Sequence, residues 1–218
     1  IYDVSYLNPN FTLTYHSELL YSTGSIKKKD KFMNIIEAIT KRRSIRKFKG
    51  TPISDDIIIK ILNAAVQAPS GKNRQPWHFI VVKDEKKNEM MNILRQVINN
   101  AKQQGRDTGS SEGTAQTMEQ APVTIFIFNA NAERAKGKKT SNIVDAQSIG
   151  AAIQNMLLAS LEYDIGSLWI CDVFYADDEL CTWLGQTQEM IAAVSLGYPD
   201  EQPNARPRKQ IEEVAEWF

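Results

Sequence analysis

Residues 145–163 constrain the fold of this chain more than any other stretch. Ile149, Ile153, Met156, Leu157 and Leu161 recur at helical spacing on one face. Gly150, Ala151 and Ala152 supply small surfaces on which a neighbouring element can approach closely. A long, central, buried helix is expected, and the other elements have to pack around it. Phe32 to Arg43 reads as a helix with Ile35, Ile36 and Ile39 on one face and basic residues in its last turn, where cations complement the helix dipole. Ser54 is a suitable N-cap, with Asp55 and Asp56 in the first turn and an apolar stripe from Ile57 to Ala65. That helix must end by Ala68, because the residue before Pro69 avoids helical geometry.

Glu85 to Gln104 and the short Asp178 to Leu184 complete the internal helices, and Ile211 to Phe218 reads as a final helical stretch. Trp77–Val82, Val123–Phe128, Leu168–Cys171 and Ile191–Leu196 are apolar and rich in β-branched or aromatic residues, so they read as strands. Gly105 to Gly113 is polar and rich in Gly and Ser, hence a loop, and Asn131 to Thr140 is a charged connection. Helices and strands do not alternate regularly, so the class is α+β rather than a doubly wound sheet.

With 218 residues, the chain has room for one domain with a sizeable core. Its 26 acidic and 26 basic residues balance, which argues against nucleic acid or an anionic membrane surface as the main partner. No apolar run reaches the roughly 18 residues a membrane helix needs. Two histidines, His16 and His78, and two cysteines, Cys171 and Cys181, match no zinc or C-x-x-C pattern. His78 reads as a strand residue beside Trp77 rather than an acid or base. Residues 1–32 lack a sustained period and lack the layout of a secretory signal, and Met33 opens the first clear helix. The expectation is an N-terminal extension or arm over 1–32, a functional domain over 33–218, and a cytoplasmic location.

Two polar clusters carry the chemistry. Arg42, Arg43 and Arg46, with Ser44 between them, can clamp a phosphate, because guanidinium groups donate paired hydrogen bonds to a dianion. The alternative is that these arginines satisfy the carbonyls ending a helix and face solvent. Pro69-Ser70-Gly71-Lys72-Asn73-Arg74-Gln75-Pro76-Trp77 gathers amides and exposed backbone between two prolines. Asn73 and Gln75 can each donate and accept, which suits the mixed edge of a flavin or nucleobase, and Ser70 and Gly71 let a ligand approach the backbone. A polar helix-to-strand connection fits the same residues. Arg206 and Arg208 flank Pro207, so an extended backbone points both to one side. Neither a G-x-G-x-x-G nor a P-loop pattern is present, so a basic site here suits a mononucleotide cofactor.

These segments, in this order, resemble the FMN-dependent nitroreductase family: Arg-Arg-Ser-x-Arg-x-Phe at 42–48, Pro-Ser-x-x-Asn-x-Gln-Pro-Trp at 69–77, and the late basic pair Arg206 and Arg208. Ser148 to Ala159 resembles the family's central helix, and Ile165 to Ile170 the strand that follows it. The similarity runs from about Met33 to the C-terminus. It implies an antiparallel central sheet flanked by helices, in an intertwined homodimer with FMN at the interface. Carried over by position, Arg42, Arg43, Ser44 and Arg46 hold the phosphate, ribityl chain and pyrimidine edge, and Arg206 and Arg208 join them at the phosphate. Pro69, Ser70, Gly71, Asn73 and Gln75 belong to the loop that approaches the same flavin from the partner subunit. Cys171 and Asp172 fall where the family presents backbone near flavin N5 and O4. An acidic residue is common at the position of Cys171, which is read here as a small buried hydrophobe.

The activity so implied is reduction of nitroaromatics, quinones or related small-molecule acceptors. NAD(P)H serves as co-substrate, and hydride passes through flavin N5 in ping-pong fashion, so no side chain has to be catalytic. A specialised reductase or dehydrogenase with one physiological substrate is the alternative within the fold. A non-enzymatic flavin-binding protein is the alternative outside catalysis.

Overall fold

Helix α5 (Ile143–Glu162) is buried along one side in the computed structural model, which describes residues 33–134 and 142–218. Ile149, Ala152, Ile153 and Met156 are completely buried on it, and Asn142 caps it by accepting the Asp145 N–H at 2.8 Å. Gly150 lies where an added Cβ would sit 3.6 Å from the Trp169 ring, so the small-residue patch does receive a neighbour. The proposed extension over 1–32 lies outside the described residues.

Four strands form one antiparallel sheet in the order β1 (Trp77–Lys83), β2 (Val123–Glu133), β4 (Gln188–Gly197), β3 (Gly166–Ile170). Side chains alternate across a strand, and β2 shows the consequence. Val123, Ile125 and Ile127 face a core shared with α5 and with Ile58, Ile61 and Ala65 of α2 (Asp55–Ala65). Phe126 and Phe128 face the opposite core, formed with Met90, Met91 and Leu94 of α3 (Asp84–Gln103), Met118 of α4 (Ser111–Gln120) and Leu180 of α6 (Asp177–Leu184). Because helices cover both faces, β2 reads as a continuous apolar run rather than an alternating one. The α+β class with an antiparallel central sheet is confirmed.

Three expectations need correction. The 105–113 segment is not all loop, because α4 begins at Ser111. Its Ser and Gly residues hid a helix whose Ala115 and Met118 pack against the α3 layer. Strand β2 continues to Glu133 instead of ending at Phe128, with register irregularities after Ile127 and Asn129 that obscure its period. The C-terminal stretch forms only one tight turn, Ile211–Glu213. An eight-residue helix is marginal without a packed face, and Val214 and Trp217 are exposed here. Helix α1 (Ile35–Lys41) forms, but Ala38 is its buried residue, while Ile35, Ile36 and Ile39 face outward at 61, 65 and 50 % exposure.

Candidate functional site

The arginine cluster is placed by an extended segment that follows α1. Ser44 bridges Ser167 at the edge of β3, and the Ile45 N–H donates to the Ser167 carbonyl at 3.0 Å. On the other side Phe48 bridges Pro199, the Lys49 N–H donates to the Tyr198 carbonyl, and the Asp200 N–H donates to the Lys47 carbonyl. The Glu201 carboxylate accepts from the Arg46 and Lys47 backbone amides. Residues 44–49 are therefore stitched between β3 and the chain leaving β4. This stitching brings the end of α1 against the 203–208 tail.

Arg42, Arg43, Ser44, Arg46, Arg206 and Arg208 line one cavity of about 450 Å³, walled also by Ile39, Thr40 and Pro203–Ala205. Among the described residues none of these five arginines forms an ion pair. Partial burial and then the positive charges of Arg208 and Arg43 lower the pKa of Arg42. A concave patch where cations disturb one another suits an anion. Arg43 also donates to the Thr40 and Arg42 carbonyls at 2.8 Å, so the helix-ending role holds for that residue.

The proline-bounded loop lies outside this cavity. Gly71–Asn73 makes one tight turn, and Lys72, Asn73 and Gln75 all hold positive φ, at 54°, 53° and 47°. Side chains rarely adopt that left-handed conformation, and clusters of it occur at functional sites. The Ser70 hydroxyl accepts from the Gln75 N–H at 3.0 Å, and the Gly71 N–H donates to Ser148 Oγ at 3.3 Å. A methyl at Gly71 would stand 2.4 Å from Val144 Cγ1, so only glycine lets the loop lie this close to α5. Asn73 and Gln75 are exposed, and their amide groups make no hydrogen bond among the described residues. Pro69 is exposed where the loop leaves α2.

Two residues of this region escaped the sequence reading. Arg74 donates from Nε and Nη2 to Asp145 Oδ1 at 3.0 and 2.7 Å, and the Asp145 side chain is only 2 % exposed. The available signal was Asn142-x-x-Asp145, a helix start that places a carboxylate in the first turn. Nothing in the sequence pairs that carboxylate with Arg74.

Cys171 and Asp172 follow β3 and line neither the arginine cavity nor the proline loop. Cys171 is exposed, which corrects the expectation of a buried hydrophobe. The Asp172 carboxylate accepts from Ser110 Oγ at 2.6 Å and Thr114 Oγ1 at 2.8 Å, tying the start of α4 to the end of β3. His78 sits in β1 with Nδ1 bonded to Gln188, a strand residue as expected.

The two thiols should react very differently. Cys181 is fully buried, and burial reinforced by the Asp177 carboxylate pushes its pKa up to about 12. At pH 8 a thiol-specific chromogenic reagent is expected to label one cysteine per native chain and two after denaturation. C171S should abolish the native signal.

Residues 39–198 match the Nitroreductase family. A protein of Methanothermobacter thermautotrophicus named as an NADH dehydrogenase/NAD(P)H nitroreductase is 30% identical over 200 residues, covering 89% of this chain and 92% of its own. An iodotyrosine deiodinase of Thermotoga neapolitana is 25% identical over 182 residues, covering 78% of this chain and 91% of its own. Among solved structures, a Desulfovibrio desulfuricans nitroreductase in complex with FMN superposes with a TM-score of 0.65 at 27% identity, over 84% of this chain and 96% of that one. A two-sided antiparallel sheet, a long helix buried along one side and an arginine cavity thus coincide with sequence similarity over most of the length. The chain belongs to the nitroreductase family.

Proposed function

We propose that this chain is an FMN-dependent NAD(P)H oxidoreductase that reduces nitroaromatics, quinones or related small acceptors. The observation that carries the reading is the arginine cavity, which unites residues from both ends of the folded domain. Bound FMN supplies hydride acceptance and donation at its N5.

The chain's own residues bind and orient. Arg42, Arg206 and Arg208 offer charge-assisted donors to a phosphate dianion, and Ser44 adds a hydroxyl. Such a group offsets the burial and, after it, the repulsion from Arg208 and Arg43 that lower the pKa of Arg42. Arg43 and Arg46 extend the positive field along the same wall. The exposed Asn73 and Gln75 amides present donors and acceptors suited to a heteroaromatic edge. Within one chain they do not share the arginine cavity. The reading therefore assigns Pro69, Ser70, Gly71, Asn73 and Gln75 to the flavin of a second copy, in a homodimer. The outward Ile35, Ile36 and Ile39 of α1 are an apolar surface that such an assembly would bury. Cys171 and Asp172 would contribute backbone to the flavin ring. One pocket then serves the nicotinamide nucleotide and the acceptor in turn, which implies ping-pong kinetics.

Similarity to the iodotyrosine deiodinase of Thermotoga neapolitana favours a second, narrower reading, a reductase with one physiological substrate. One set of measurements covers both. Purified protein should be yellow, or become so on reconstitution, and anaerobic stopped-flow should show flavin bleaching by NADH or NADPH. Reoxidation across nitrofurans, quinones and iodotyrosine separates broad from narrow acceptor use. Colourless protein that takes up no FMN would overturn the proposal, and bound FMN that neither nucleotide reduces would leave a flavin-binding protein without this activity.

A further inference from the structure

Three left-handed residues in one six-residue loop need a restraint, since each is disfavoured for an L side chain and relaxes unless its surroundings hold it. Lys72, Asn73 and Gln75 are all exposed, so packing of their own side chains does not provide that restraint. The residue between the last two is Arg74, with ordinary backbone geometry at φ −70°, ψ −21°. Its guanidinium reaches the first turn of α5 and meets a carboxylate that is almost wholly buried. We infer that the Arg74–Asp145 pair is a clamp that fixes the Ser70–Gln75 loop in its left-handed form, which makes Arg74 a positioning residue for the ring-facing amides of Asn73 and Gln75.

The clamp is braced on both sides. Asp145 Oδ1 takes both Arg74 donors, while Oδ2 accepts from Asn142 Nδ2 at 3.0 Å. Asn142 in turn caps the helix through the Asp145 amide. The carboxylate is thus fixed by the helix start and cannot follow a drifting loop. Two weaker ties flank it, Gly71 N–H to Ser148 Oγ and Gln75 N–H to Ser70 Oγ. Neither carries a charge. Among the described residues only Arg74 joins the loop to α5 by a charged pair. Its Nε and Nη2 converge on one carboxylate oxygen, so two donors on one fixed acceptor restrict direction as well as distance. Direction matters because Asn73 and Gln75 precede and follow Arg74 immediately. Any rotation of the Arg74 backbone turns both.

This inference rests on the flavin reading for its ligand, but the clamp itself is measurable without flavin. Arg74→Ala alone leaves a buried carboxylate without its cation, so R74A/D145N, which removes both charges, is measured beside it. In the apoprotein, hydrogen exchange at the Gly71 and Gln75 amides should accelerate by about tenfold or more in R74A/D145N, with core amides of β2 unchanged. In FMN titrations followed by fluorescence, the same variant should bind roughly tenfold to a hundredfold more weakly, because the loop then has to be ordered on binding. The visible circular dichroism of any flavin retained should change shape, which a general loss of stability would not cause. R74K, which keeps the charge and loses the paired donors, should fall between wild type and R74A/D145N in both readouts. Unchanged loop exchange in folded R74A/D145N overturns the clamp. Faster exchange with unchanged FMN affinity and dichroism overturns its positioning role. A wild-type protein that binds no FMN overturns the flavin reading while the exchange result still decides the clamp.

Discussion

Replacing Arg42 and Arg208 together with alanine is expected to weaken FMN binding by about 10²- to 10⁴-fold, since each hydrogen bond from a charged group is worth about 1.5–3 kcal/mol. The same exchange should leave the apoprotein at least as heat-stable as wild type. Both expectations come from one observation. Arg42 holds its proton less firmly than a free arginine because it is partly buried beside Arg208 and Arg43. The sign follows directly. A basic group whose pKa is lowered on folding costs stability wherever it is charged, which for arginine covers the whole neutral range. Removing it relieves that cost, while removing a cation from a phosphate site weakens the ligand. Fluorescence titration of apoprotein with FMN, paired with thermal melts of the apo form, checks the two signs together. A double variant that loses heat stability and binds FMN normally would assign these arginines to the fold and dissociate them from the cofactor. Raising the ionic strength should weaken wild-type binding more than variant binding, because fewer charges remain to be screened.

The largest effect on the fold itself is expected at Phe126. It lies in β2, which pairs with β1 on one side and β4 on the other, and it is fully buried against the α3, α4 and α6 layer. Phe126→Ala leaves a cavity that the sheet cannot close, because the strand is held on both edges by hydrogen bonds. The cost should be about 3–5 kcal/mol. For a domain of this size that corresponds to a fall in Tm of roughly 6–20 °C. Urea denaturation of apoprotein, which removes any contribution from ligand, measures the change directly. The same exchange at Ile36, which is 65 % exposed in the single chain, is a useful contrast. A small effect there at low protein concentration that grows at higher concentration would report burial by a second copy.

The elements that local pattern can specify were legible. Helix α5 declared itself through Ile149, Ile153 and Met156, and the four strands through their β-branched and aromatic runs. In β2 the apolar run persists because helices cover both faces. Helix α4 was hidden because Ser110, Ser111 and Gly113 read as loop, while the residues that make it a helix, Ala115 and Met118, act by packing on a distant segment. The reverse happened at the C-terminus. Ile211, Val214 and Trp217 suggest an amphipathic stretch, yet no face of it is buried among the described residues, so only a turn forms.

The candidate site divides along the same line. The arginines were conspicuous, and their union in one cavity follows from backbone bridges at Ser44 and Phe48 that no local pattern reveals. Arg74 stood inside a segment already singled out, but its worth depends on Asp145, a partner set by tertiary structure alone. Cys171 was misplaced because a strand-end cysteine is apolar by composition, and exposure at a strand end depends on what covers it.

The stitching of residues 44–49 between β3 and the segment after β4 also orders events in time. Arg42 leaves the ribosome well before Arg206 and Arg208. A nascent chain lacking the final strand has nothing for Phe48 and Lys49 to pair with, so the cavity does not yet exist. If the proposed flavin reading holds, phosphate capture marks a chain in which residues 42–46 and 203–208 have met. Colour gained during synthesis would then report that meeting rather than collapse.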